Sequence, residues 1–166
     1  PELIAAALGL SADEICFENH RPSAWSAGVP YVMVPVTGLA AAARARPNPL
    51  LWEDIAPERG PDVRASAYVY CREAKGEGTA FHTRMFTGGP GSYEDPATGS
   101  ALAAFSGAIL HFDRPTDGAY SAWIEQGMEM GRASRLRLEI DVAGGRAVAA
   151  RIGGHAVRIA EGRLFC

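Results

Sequence analysis

Within six residues, Asp95-Pro96-Ala97-Thr98-Gly99-Ser100, the sequence places one acid, one proline and two hydroxyls directly ahead of an uncharged run. Asp95 suits a helix N-cap and Pro96 the first helical position, because proline has no N–H to leave unpaired and keeps the residue before it extended. The first four N–H groups of a helix lack intrahelical partners and carry the positive end of its dipole, so this start would face an anion. Thr98 and Ser100 add hydroxyls beside those groups, and Gly99 leaves the backbone open to close approach. Spacing alone is also satisfied by a purely structural cap. The preceding glycine-rich loop, residues 88–92, is pliable enough to fold over a ligand. It is not a P-loop, because no Gly-Lys-Ser/Thr follows, and Glu94 stands where a dinucleotide fingerprint needs its third glycine.

These residues need a frame. From 96 to 110 the only polar side chains are Thr98, Ser100 and Ser106, and a helix apolar all round is expected to be buried all round. Its small residues, Ala103, Ala104, Gly107 and Ala108, would let strands approach closely. Elsewhere the pattern predicts a helix over 2–9 ended by Gly9, with Ser11 and Asp13 opening the next turn, and a short strand over 15–18. It predicts a buried strand at 31–36, with Pro35 marking an edge or an early end, and an alanine-rich helix at 39–46 stopped by Pro47 and Pro49. A hairpin is expected from 65–72 and 79–86. Strands at 120–126, 135–142, 147–152 and 156–160 follow as an antiparallel meander. No repeat or linker divides the chain, so residues 1–166 read as one α+β domain in which a curled, mostly antiparallel sheet wraps around the central apolar helix.

The chain has 166 residues, a net charge of -3 and 48% hydrophobic residues. That length can bury a sizeable core, and the charge gives no footprint for nucleic acid or an anionic membrane. No apolar run reaches transmembrane length, no signal peptide is visible, and three scattered cysteines make a disulfide framework improbable, so a cytoplasmic setting is expected. Cys16 and Cys71 read as small core residues and Cys166 as a tail thiol. Cys16 and His20 are four apart in a strand context, which does not bring them to one face, so no metal site is expected. His82 reads as a packed or surface histidine. For Arg84, a structural ion pair stands beside a contact with a substrate carboxylate.

The stretch "RMFTGGPGSYEDPATGSALAA" (84–104) closely resembles the signature of the phenazine-biosynthesis PhzF-like family of isomerases and epimerases. "SAGVPYVMVPV" (26–36), "EQGMEMGRAS" (125–134) and "GGHAVRIAEGRL" (153–164) are similar to further segments of the family's second half. The resemblance implies the diaminopimelate epimerase-like fold, with two lobes that each curl a sheet around a helix and a cleft between them. It implies proton transfer beside an acid group of a small carboxylated metabolite, without metal or organic cofactor. Asp95 and Ser100 match motif positions expected to be catalytic, Asp95 orienting or relaying a proton and Ser100 holding the anion or enol oxygen. Thr98, Gly99, Ala101, Gln126 and Gly127 match positions expected to bind the substrate. The family's first-lobe glutamate and His-Pro-Thr-like element are not matched: His20, His82, His111 and His155 are followed by Arg21, Thr83, Phe112 and Ala156. The chain therefore resembles the second lobe alone, expected to be inactive without the first lobe, which would come from the same gene or a separate chain. A non-catalytic binding or interaction module of that fold is the alternative. A lone lobe would expose its cleft face, so self-association as a homo-oligomer is an expected consequence.

Overall fold

The computed structural model describes every residue except 57, 61, 62, 89, 90, 92 and 166. The chain opens with α1 (Glu2–Leu8), closed by Gly9 in left-handed geometry, then a single 3-10 turn (Ala12–Glu14) capped by Ser11. Strands β1 (Ser23–Ser26) and β2 (Pro30–Pro35) follow, then helices α2 (Leu39–Arg44) and α3 (Pro49–Ile55). A small ribbon pairs β3 (Glu58–Gly60) with β4 (Val63–Arg64). The remaining elements are β5 (Ser66–Cys71), β6 (Thr79–Phe86), β7 (Glu94–Asp95), α4 (Gly99–Phe112), β8 (Gly118–Gln126), β9 (Ser134–Ala143) and β10 (Arg146–Gly154).

One curled sheet runs in the order β1-β2-β5-β6-β8-β9-β10, with β7 also paired to β6. The expected hairpin is β5–β6, and β8–β9–β10 form the expected meander. Two pairings, β2–β5 and β6–β8, are parallel, each joined by a connection that contains helix, α2 and α3 in the first and α4 in the second. The sheet is thus mostly antiparallel, as expected. β2 lies inside it between β1 and β5, not at an edge. Pro35 is tolerated because it is the last residue of the strand, where one missing donor interrupts nothing further.

Alternation along β2 and β5 divides the interior. Tyr31, Met33, Tyr68 and Tyr70 point to a core shared with α4, while Val32, Val34, Ala67 and Val69 point to a second core under α1, α2 and α3. This is why "YVMVPV" carries no polar residue: both faces of that strand are covered. Helix α3 breaks the expectation that Pro47 and Pro49 only terminate. Asn48 accepts hydrogen bonds from the Leu50 and Leu51 N–H groups, and Pro49 takes the first helical position, a start signal rather than a stop.

Helix α4 spans about 21 Å at 1.5 Å per residue. It buries Ala101, Leu102, Ala104, Phe105, Ala108 and Ile109. It is not buried all round: Gly99 and Ser100 are exposed, and Ala103, Ser106, Gly107 and Leu110 are half-buried. Gly107 is needed where Trp25 crosses the helix, since a Cβ there would lie 2.4 Å from the indole. At the far end Asp113, the C-cap, receives a hydrogen bond from His20 Nε2 at 2.8 Å and two more from Arg72, one to each carboxylate oxygen. Buried Tyr70 sits 3.0 Å from the other His20 nitrogen. Burial pushes the Tyr70 hydroxyl's pKa upward, so it stays protonated in this cluster.

The expected short strand at 15–18 is reduced to isolated bridges, Ile15 with Val36 and Phe17 with His20. The expected last strand at 156–160 is also absent, and residues 155–165 form no regular element. β-propensity needs a neighbouring ladder to be realised, and none adjoins that segment among the described residues. Cys16 and Cys71 are free thiols; the reading of Cys166 lies outside the described residues.

Candidate active site

The start of α4 differs from its sequence signal by three residues. Glu94 and Asp95 are extended and paired with Phe86 and Met85 of β6, and Thr98 is the N-cap. A cap rule weighs only local geometry, whereas here Arg84 holds Glu94 in the sheet through two hydrogen bonds of 2.8 Å. Asp95 still serves the helix start from one step further away. Its Oδ2 accepts a 2.6 Å hydrogen bond from the Thr98 hydroxyl. No side chain caps the first turn, so the leading N–H groups of α4 lie at the positive end of the dipole, those of Gly99 and Ser100 in exposed residues and that of Ala101 in a wholly buried one.

Behind this tip stands Gln126, the last residue of β8 and wholly buried. Its Nε2 donates to the Asp95 carbonyl oxygen at 2.7 Å and to Thr98 Oγ1 at 3.0 Å, and its Oε1 accepts from the Thr98 N–H at 3.4 Å. The order of donors is therefore fixed: the Gln126 amide donates to Thr98, and Thr98 passes its own proton toward Asp95. Gly127 follows with φ of 78°. A Cβ on it would meet the Arg132 carbonyl oxygen at 2.5 Å and the Pro96 carbonyl oxygen at 2.8 Å. Both contacts are backbone and cannot swing aside. Gly127→Ala is expected to cost about 2–4 kcal/mol through left-handed strain and overpacking, read as a lowered midpoint in urea denaturation. An unchanged midpoint would show that this contact does not anchor the segment.

The turn carrying Gln126 is itself clamped. Glu125 accepts hydrogen bonds from the Lys75 N–H at 2.7 Å, the Gly76 N–H at 2.8 Å and His82 Nδ1 at 2.7 Å. Burial pushes its carboxyl pKa up, but these donors outweigh burial and hold it below the usual carboxylate range. His82 is buried, and Glu129 lies 3.2 Å from its Nε2. Arg84 is a structural cation: it is 1% exposed and bonded to Glu94, not aimed at a substrate.

The tip is open. Ala97, Gly99 and Ser100 are exposed, and a cavity of about 360 Å³ beside Ala97 is lined by Ser134, Arg135, Leu136, Gly153 and His155 among others. All seven residues singled out from the sequence converge here, in two ranks. Asp95, Thr98, Gly99 and Ser100 form the tip, with Ala101 buried directly behind it. Gln126 and Gly127 brace it from behind, their contacts already taken by protein groups. Ala101 is 0% exposed, backbone included. The loop at 88–92 lies partly outside the described residues. One residue escapes the sequence reading: Tyr31, whose hydroxyl is 2.7 Å from Ser100 Oγ. Its signal was faint, a buried aromatic with a polar end that must find a partner.

This architecture is that of the PhzF-type structures. A crystal structure of a phenazine biosynthesis protein of the PhzF family from Bacillus anthracis matches 84% of the chain and 46% of its own length, with a TM-score of 0.70 and 25% identity. A predicted epimerase from Pseudomonas aeruginosa matches 92% of the chain and 47% of its own length, with a TM-score of 0.61 and 31% identity. The chain belongs to the phenazine biosynthesis-like (PhzC-PhzF) family, whose pattern matches residues 2–162. It is 59% identical over 165 residues to an uncharacterized isomerase of Mesorhizobium japonicum, and 30% identical over 167 residues to trans-2,3-dihydro-3-hydroxyanthranilate isomerase of Pseudomonas aeruginosa. In each comparison 99% of the chain is covered, but only 55% and 53% of the relative. The chain thus spans about half the length of these relatives. No helix among the described residues is long and apolar enough to cross a membrane.

Proposed function

We propose that residues 1–166 form a single domain, one wall of a cofactor-independent proton-transfer site for a small carboxylated metabolite. The other wall comes from the further length that the relatives possess. The observation that carries this reading is the unplugged first turn of α4, with an acid on one side and a hydroxyl on the other. The substrate carboxylate binds the N–H groups of Gly99 and Ser100. Removal of a proton from the adjacent carbon sends its electron pair to oxygen, and the same N–H groups, with Ser100 Oγ, stabilise the enolate more strongly than the ground state. Asp95 relays the proton to its new carbon, with Thr98 fixing one carboxylate oxygen. The base that begins the cycle lies on the other wall, so this chain by itself does not turn over. Such an enzyme works in the cytoplasm.

The test is proton exchange. The full-length protein is incubated in D₂O with trans-2,3-dihydro-3-hydroxyanthranilate, the compound in the Pseudomonas relative's name, and deuterium uptake is followed by ¹H NMR. Catalysed uptake is the expected result. Binding without uptake would favour the alternative, a non-catalytic ligand-binding module, and the absence of both would overturn the reading of the tip.

A further inference from the structure

Tyr31 is 4% exposed, and its ring belongs to the core beneath α4. Its backbone is fixed on both sides, paired with Trp25 of β1 and Ser66 of β5. A hydroxyl on so immobile a ring cannot turn to find water, and burying it without a partner is costly. Ser100 Oγ, at 2.7 Å, is that partner. Ser100 lies in the first turn of α4 with its residue surface exposed, so its hydroxyl touches the core through Tyr31 and the open tip on its other side.

We propose that Tyr31 is a positioning residue for Ser100, donating its hydroxyl proton to Ser100 Oγ and so directing the serine's own proton outward to the substrate oxygen. A phenol is the more acidic of the two hydroxyls and the better donor. With one Oγ lone pair occupied, the serine rotor loses the orientations that would turn its proton inward. The hydroxyl then meets the developing oxyanion already aligned, and no reorganisation is needed as charge forms. No proton transfer between Tyr31 and Ser100 is required, only a fixed donor order. This inference rests on the proposed role of the tip.

The experiment is a double-mutant cycle in the full-length protein, with Tyr31→Phe, Ser100→Ala and the pair, using deuterium exchange into trans-2,3-dihydro-3-hydroxyanthranilate. Tyr31→Phe is expected to lower kcat about tenfold, the worth of one hydrogen bond, with KM unchanged. Ser100→Ala is expected to lower it about 100-fold, as removal of an oxyanion donor does. In the Ser100→Ala background, Tyr31→Phe should have no further effect on rate. A readout independent of substrate accompanies it: Ser100→Ala strands a buried phenol, so adding Tyr31→Phe should restore part of the lost denaturation midpoint. If Ser100→Ala leaves exchange unchanged, the proposed role of the tip fails and this inference with it. Should Ser100→Ala slow exchange while Tyr31→Phe does not, or should the two effects multiply independently, only the positioning role is overturned. A wild-type protein that neither binds nor exchanges the probe overturns both.

Discussion

Asp95→Asn in the full-length protein is expected to lower deuterium exchange by about two to four orders of magnitude, the usual contribution of a general acid–base group. Asparagine keeps the shape of the side chain and can still accept the Thr98 hydroxyl through its amide oxygen. The main-chain carbonyl of residue 95 still receives Gln126 Nε2, as it does now at 2.7 Å. The ladder to Met85 is a backbone contact and is likewise preserved. What disappears is a carboxylate able to take and return a proton. The loss should therefore fall on kcat, with the denaturation midpoint nearly unchanged and binding of the carboxylated probe largely retained, since the N–H groups of α4 still meet it. Unchanged exchange would remove Asp95 from the mechanism. A collapsed midpoint would instead make it a structural residue.

The parts of this arrangement legible in the sequence are those governed by neighbours along the chain. Alternation in β5 and β6 marked the hairpin, and the uncharged run marked α4. The block from Glu94 to Ala101 was marked by composition and by its family resemblance. The start of α4 was misplaced because Asp95-Pro96 satisfies a cap rule locally, while pairing with β6, ten residues earlier in the chain, decides the outcome. The buried character of α4 was overstated for a related reason. Small residues look alike whether they meet a strand or solvent, and only the placement of Trp25 over Gly107 separates the two. The Tyr31–Ser100 contact joins residues 69 apart, and no local pattern records such a pairing. Gln126 was singled out by resemblance alone, and the bonds of its amide to Asp95 and Thr98, 31 and 28 residues away, are again pairings that no local pattern records.

Arg84→Met is expected to have the largest effect on stability, about 3–5 kcal/mol, because it breaks a buried ion pair by removing one partner only. Nε and Nη2 hold both oxygens of Glu94, and Nη1 donates to the carbonyls of Ala42 at 2.7 Å, Ala43 at 3.2 Å and Ala45 at 3.0 Å. The guanidinium therefore closes the C-terminal end of α2, where a cation is favoured, and ties it to β7. Methionine fills much of the volume but leaves the Glu94 carboxylate without its guanidinium, and each of the three carbonyls loses one donor while keeping another: Arg46 Nη1 for Ala43 and Ala45, the Ala45 N–H for Ala42. Lysine would not rescue it, because one ammonium cannot reproduce the planar fork that reaches both groups. Adding Glu94→Leu to Arg84→Met removes the stranded carboxylate, so the double variant should regain part of the lost midpoint in guanidinium denaturation, but not all, since the charge-assisted bonds from Arg84 to the end of α2 are not replaced. Exchange activity should not return with it, because the restraint on β7, and through it on Asp95, is gone. Full recovery of stability by the double variant would show that the bonds from Arg84 to the α2 carbonyls contribute nothing. Recovery of activity would show that Asp95 is positioned without Arg84.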